Sequence, residues 1–204
     1  MRCVRMSTGS SAHSPLTAIS PQSTNPASAG LFYSNMSYGL STGKFNQGAS
    51  FNGTTSKIVI TGWTTGNTFT ISLWVYPIAT SDGYAALIVN NTSNGGLYYM
   101  GAGSNPNKLN YYSGGDRFNT TALSLNTWTH VVISVSATTA TWYLNGKQDG
   151  TVNVASFALT NIGMSQASEN FKGYMDELIL ENRAWSASEV RKYYSQAKGR
   201  FVPQ

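Results

Sequence analysis

Residues 68–77, Thr-Phe-Thr-Ile-Ser-Leu-Trp-Val-Tyr-Pro, alternate without a break. Phe69, Ile71, Leu73 and Val75 share one side of an extended chain; Thr70, Ser72, Trp74 and Tyr76 share the other. Pro77 closes the run, because proline cannot donate to a strand ladder. The stretch therefore reads as a strand with a wholly apolar inner face. Similar short runs lie on either side: KIVI (57–60), AALIV (85–89), GLYYMG (96–101), KLNYY (108–112), THVVISV (129–135), TATWYLNG (139–146) and YMDELILE (174–181). Turn-forming clusters separate them, at Ser81-Asp82-Gly83, Asn94-Gly95-Gly96, Ser113-Gly114-Gly115-Asp116 and Asn145-Gly146. The last is an Asn-Gly hairpin signal leading into a strand near 147–154. Many short strands at near-regular spacing predict a sandwich or jelly roll.

Composition agrees. Of 204 residues, 10% are charged and 12% aromatic, and Ser, Thr and Asn together supply 66. A soluble domain usually carries ~25% charge, and long helical bundles are rich in Ala, Glu, Lys and Leu. The aromatic content excludes a disordered polar chain. One helix is predicted near the end. Ser186 and Glu189 form a capping box, Val190, Tyr193, Tyr194 and Ala197 recur on one face, and Gly199 is a stop. It is expected to cover an edge or end of the sandwich.

The net charge is +5, and no Asp or Glu precedes Asp82. The excess is scattered rather than clustered on one face, so no nucleic-acid partner is expected. No stretch reaches the ~18 apolar residues that would cross a membrane as a helix, so no membrane insertion is expected. Residues 1–30 hold no apolar run of a secretory signal. They are rich in Ser, Thr, Pro, Ala and Asn and read as a polar N-terminal arm, with the folded domain over 31–204. Such an arm is expected to lie along its own domain or along a neighbouring subunit. Cys3 is the single cysteine, so no intrachain disulfide can form.

Seven fragments in order resemble the laminin-G-like branch of the concanavalin A-like lectin/glucanase superfamily. They are Gly43-Lys44-Phe45 with Ala49-Ser50-Phe51-Asn52-Gly53; the strand 69–77; Asn126-Thr127-Trp128-Thr129-His130-Val131; Tyr143-Leu144-Asn145-Gly146-Lys147; Leu159 to Gly163; Phe171 to Leu178; and Asn182-Arg183-Ala184-Trp185-Ser186. The resemblance implies an all-β, two-sheet antiparallel jelly roll of about a dozen or more strands with a short C-terminal helix. It does not reach residues 1–30.

Some members of that superfamily are glycoside hydrolases, which place two carboxylates across the scissile bond. The nearest stretch here is Asp176-Glu177-Leu178-Ile179-Leu180-Glu181. Plain alternation puts Glu177 and Glu181 on one face and Asp176 on the other, which is not the required pattern. His13 lies in the arm, and His130 sits mid-strand where a packed, hydrogen-bonded role is expected. No enzyme activity is therefore expected. The resemblance also implies a calcium ion at a loop rim, with Asn52, Asp176 and backbone carbonyls as ligands. Asn52 stands where many relatives have Asp.

Tyr98, Tyr99, Tyr111 and Tyr112 with the Gly114-Gly115-Asp116-Arg117 turn form an aromatic and polar stretch, half of whose tyrosines should be core. Tyr98, Tyr112, Asp116 and Arg117 are the candidate ligand-binding residues, because tyrosine rings beside polar groups serve sugars and protein interfaces alike. The expected function is non-catalytic surface binding. The first expectation is a phage or virus surface component, a capsid decoration or fibre-type adhesin, joined to other virion proteins or to itself through residues 1–30. The alternative is an extracellular carbohydrate-binding or adhesion module meeting a cell-surface glycan. A glycoside hydrolase is the third class.

Overall fold

The structure is a computed structural model. It describes residues 4–7, 31–34, 37–39, 43–45, 48–60, 65–79, 83–90, 95–101, 103–155, 159–165 and 169–198. Among them are fourteen strands and one helix. The strands are β1 (Val4–Ser7), β2 (Leu31–Ser34), β3 (Ser37–Gly39), β4 (Gly48–Asn52), β5 (Lys57–Ile60), β6 (Thr68–Pro77), β7 (Tyr84–Asn90), β8 (Gly95–Met100), β9 (Leu109–Tyr112), β10 (Thr129–Ser136), β11 (Thr139–Leu144), β12 (Lys147–Asn153), β13 (Asn161–Ile162) and β14 (Lys172–Glu181); α1 is Ala187–Lys198.

Two sheets form a jelly-roll sandwich. One runs β12-β11-β10-β6-β14-β4-β3, with β1 beside β14; the other runs β2-β5-β13-β7-β8-β9. Every strand pair is antiparallel except β1 with β14. The alternation in 68–77 does what it predicts. Phe69, Ile71, Leu73 and Val75 enter the shared core beside Val131, Ile133 and Val135 of β10, and the six-stranded sheet adds Leu87, Leu97, Tyr99, Leu109 and Tyr111. Trp142 is fully buried in the same core.

The Asn145-Gly146 hairpin has positive φ at both residues, 49° and 78°, as a type I′ turn requires. At the bend after β13, Gly163 takes φ +83° and lies against Phe51, where an added Cβ would overlap the ring.

Two expectations change. The helix covers a face rather than an edge or end. Val190 packs with Val132 of β10, Tyr143 of β11, Ile179 of β14 and Trp185 on the outer surface of the eight-stranded sheet. An amphipathic pattern says that one helical face is buried, but not which surface receives it. The capping box does form: Ser186 N–H donates to Glu189 Oε2 at 2.7 Å, and Glu189 N–H to Ser186 Oγ at 3.2 Å. Gly199 lies outside the described residues.

The second change is in β14. Its register against β6 slips between Asp176 and Ile179, so that Glu177 and Leu178 oppose Leu73 alone. Glu177 takes φ +48°, the extra residue of a β-bulge. The bulge resets the alternation. Leu178 and Leu180 turn into the core, while Ile179 joins the helix-covered layer. Asp176 and Glu181 therefore share the outward face, and the expected division of Glu177 and Glu181 from Asp176 fails.

Residues 1–30 fall mostly outside the described residues. Val4–Ser7 pair in parallel with Leu178–Glu181 of the same chain.

Candidate functional site

Strands β7, β8 and β9 each send alternate side chains away from the core. Ala86, Val89, Tyr98 and Met100 form a second apolar cluster on that outer face, with Tyr84, Tyr112 and Phe118 packed against it. Tyr99 and Tyr111 point inward. Period-2 geometry thus divides the four tyrosines as expected, and Tyr98 and Tyr112 share the outer face.

The rings form a connected set. Tyr84 meets Tyr98 edge-on at 5.3 Å and Tyr112 edge-on at 6.3 Å. Tyr98 is only 2% exposed. Residues 163–165 and 169–171 lie beside β7: Ala86 N–H donates to the Glu169 carbonyl at 3.2 Å, and Phe171 N–H to that of Gly163 at 2.9 Å. Ser165 hydrogen-bonds the Tyr98 hydroxyl and, through its Oγ, Glu169 Oε2. Tyr98 is thus the buried floor of the cluster. Tyr84 and Tyr112 are half-buried above it.

The polar half is built on Asn110, fully buried within β9. Its Nδ2 donates to Asp116 Oδ1 at 2.7 Å, and its Oδ1 accepts from Arg117 N–H at 2.8 Å. One buried amide therefore fixes the 113–117 turn. The Tyr84 hydroxyl also donates to Asp116 Oδ1, at 2.8 Å. Burial, and then that bond to a carboxylate, push the Tyr84 hydroxyl up to about 12, so Tyr84 stays protonated and donating at physiological pH. Arg117 is braced by Nε to the Asn153 carbonyl at 2.9 Å and by Nη1 to the Asp116 carbonyl at 2.8 Å. Asp116 itself is exposed.

Tyr98, Tyr112 and Asp116 thus come together on one face, while Arg117, next in the same turn, reaches across to the Asn153 carbonyl of β12 in the other sheet. Tyr84, Asn110 and Phe118 belong with them and escaped sequence reasoning. The hairpin pairing of β7 with β8, Tyr84 opposite Met100 and Ala86 opposite Tyr98, is the signal that would have drawn Tyr84 in. Apolar rings beside a rigidly held carboxylate and guanidinium suit a ligand with both C–H faces and hydroxyls.

The residues considered for calcium do not assemble. Asn52 stands opposite Lys172 on β14, four residues and roughly 13 Å along the strand from Asp176. Asn52 Oδ1 already accepts from the N–H groups of Thr54, Thr55 and Ser56, at 2.9, 2.9 and 3.1 Å. Asp176, 1% exposed, accepts from Phe45 N–H at 2.9 Å and Glu177 N–H at 2.8 Å. A calcium site needs 6–8 oxygens. Among the described residues no group of three or more His, Cys, Asp or Glu could hold a metal. Asn52 and Asp176 do not fit a shared ion.

Two carboxylates of β14, Glu177 and Glu181, serve the helix layer. Glu177 Oε2 accepts from the Tyr193 hydroxyl at 3.1 Å. Glu181 Oε2 takes Trp185 Nε1–H at 2.7 Å and pairs with Arg183 at 2.9 Å. His130 is buried in the same layer. Its Nε2 is 2.9 Å from Ser72 Oγ, and its ring stacks against Tyr193 and Tyr194. Among the described residues, no helix is long and apolar enough to cross a membrane.

Residues 45–191 match the model of a family described as the concanavalin A-like lectin/glucanases superfamily. No curated protein matches the chain. Among solved structures, the chain is similar to Domain 4 of AbnA, a GH43 extracellular arabinanase from Geobacillus stearothermophilus in complex with arabinotriose. The TM-score is 0.64 at 22% identity, over 80% of this chain and 86% of that one. It is similar to the binding domain of Paraclostridial Mosquitocidal Protein 1, with a TM-score of 0.63 at 17% identity, over 82% of this chain and 47% of that one. It is also similar to Trypanosoma rangeli sialidase in complex with the inhibitor DANA, with a TM-score of 0.61 at 17% identity, over 82% of this chain and 29% of that one. The chain therefore spans less than half of the latter two. At these identities the likeness is one of fold.

Proposed function

From the premise that the chain belongs to the concanavalin A-like lectin/glucanases superfamily, we propose that it is a non-catalytic carbohydrate-binding module whose glycan lies on the outer face of the six-stranded sheet. The observation that carries this reading is the joining of Tyr84, Tyr98 and Tyr112 to the Asp116–Arg117 turn through buried Asn110. Tyr112 and Tyr84 offer rings to the C–H face of a sugar, Asp116 accepts its hydroxyls, and Arg117 donates to its oxygens. Tyr98 positions Tyr84 from beneath. The arabinotriose held by the arabinanase domain supports the ligand class. Binding rather than hydrolysis is favoured because Glu177 and Glu181 are engaged in seating the helix and Asp176 is buried, holding the N–H groups of Phe45 and Glu177.

A glycan array followed by titration calorimetry tests the reading. Selective binding should fall about tenfold or more in Tyr112→Ala and in Asp116→Asn, since an aromatic contact or a charged hydrogen bond is worth about 1–3 kcal/mol. Binding that ignores both substitutions would move the site elsewhere. A chain that bound no glycan but joined a viral shell would instead establish the virion-surface reading, and cleavage of a polysaccharide lost in Glu177→Gln would establish hydrolysis.

A further inference from the structure

The bulge at Glu177 has an effect on the edge of β14. Up to Met175, the side of β14 away from β6 is paired by β4, the last partners being Met175 and Ala49. From Leu178 to Glu181 the same side is paired by β1 instead. The backbone groups of this short edge would otherwise be left without a ladder, directly above core residues Leu178 and Leu180. The filler is four residues long, runs parallel, and has β14 as its strand partner in the sheet. Its register puts Val4 opposite Leu178 and Met6 opposite Leu180, with Arg5 and Ser7 opposite Ile179 and Glu181. The apolar residues of Val-Arg-Met-Ser thus fall at the two positions whose partners belong to the core.

The connection is long. β1 belongs to the eight-stranded sheet and β2, the next strand, to the edge of the six-stranded one, with residues 8–30 between them. Fully extended, this connection could reach roughly 75 Å, further than closing on its own sheet requires.

We infer that Val4–Ser7 is an exchangeable strand and that the Leu178–Glu181 edge of one copy accepts it from a second copy of this chain. The second copy fits by identity, because the donated strand repeats every backbone bond and register partner of the internal one. Exchanging an identical element is a low-cost route to association, so linker entropy and concentration decide the balance. With an internal strand present at an effective concentration on the order of millimolar, exchange is expected near that range or wherever copies are held side by side. The inference does not depend on the glycan reading.

The test is analytical ultracentrifugation of the full chain from ~10 µM to ~1 mM, the range that brackets the effective concentration. The expected result is a reversible rise in average mass toward the dimer, absent in Arg5→Pro/Met6→Pro, where one of two successive N–H groups must face β14 and is lost from the ladder. Near-UV circular dichroism establishes that the variant is folded. In the wild-type chain, an excess of a synthetic peptide of residues 1–10 should dissociate the dimer. A chain that stays monomeric throughout, a dimer that persists in the proline variant, or one indifferent to the peptide would each overturn the exchange.

Discussion

His130 and Asp176 lie on either side of Trp74 on the outer face of the eight-stranded sheet, both buried, and burial acts on them with opposite consequences. Burial lowers the His130 imidazole to about 3 from 6.5. The unfolded chain then takes up a proton below pH 6.5 that the folded chain refuses, so stability falls as pH drops from 6.5 toward 3. Burial raises the Asp176 carboxyl from 3.8 to about 6, against the lowering effect of the N–H groups of Phe45 and Glu177. Here the folded chain takes the proton first, so stability rises as pH falls from about 6 to about 4, and the cost is fully present above that window. Between pH 4 and 6 the two groups oppose each other. His130→Gln is expected to flatten the acid limb, and Asp176→Asn to steepen it, each by up to about 1.4 kcal/mol per pH unit. Urea unfolding at pH 7, 6, 5 and 4 reads this directly. Profiles of both variants parallel to wild type would show that neither group titrates with folding.

The elements differ in how far sequence announces them, and the helix shows both sides. Its start is local chemistry. Ser186 and Glu189 satisfy each other's backbone N–H, and Arg183 adds an ion pair to Glu189 at 2.6 Å. Glu189→Ala should therefore cost about 1 kcal/mol, seen as a lower urea midpoint with an unchanged slope; Glu189→Gln, which can still accept from Ser186, should recover most of it. Strand β6, strand β10 and the Asn145-Gly146 turn were equally legible, because alternation and positive-φ preference are written in adjacent residues. The β14 bulge was not. Glutamate does not favour φ +48°, and Glu177 adopts it because the core positions of Leu178 and Leu180 require the reset. That unseen residue is why the faces of Asp176, Glu177 and Glu181 were misassigned. The candidate site divides in the same way. Alternation put Tyr98 and Tyr112 on one face, but it carries no information about Ser165 beside Tyr98, or about Asn110 clamping Asp116. Strand β1 alternates over only four residues, too short a run to announce a strand, and its partner, Leu178–Glu181, lies at the far end of the chain.

At the scale of the whole molecule, both sheets depend on one core. Ile71, Leu73, Ile133 and Leu180 come from the eight-stranded sheet, and Leu87, Leu97, Tyr99 and Tyr111 from the six-stranded one, in a single cluster. Neither sheet can bury its inner face alone, so separating them would expose every one of these side chains to water at about 25 cal/mol per Å². The outer faces are unlike. The eight-stranded sheet is roofed by the helix through Val132, Tyr143 and Ile179, whereas Tyr84 and Tyr112 on the six-stranded sheet remain half-buried beside exposed Asp116. A face that took the proposed glycan would have to stay open, and here the core lies beneath it with no helix over it among the described residues. The consequence is measurable by native-state hydrogen exchange. The amides of Leu97 in β8 and Ile133 in β10, each flanked by two paired strands, should exchange through the same global opening, with one free energy and one denaturant slope. A distinctly lower value for Leu97 would mean that the six-stranded sheet opens independently, and that the proposed glycan face is shaped by its ligand rather than preformed.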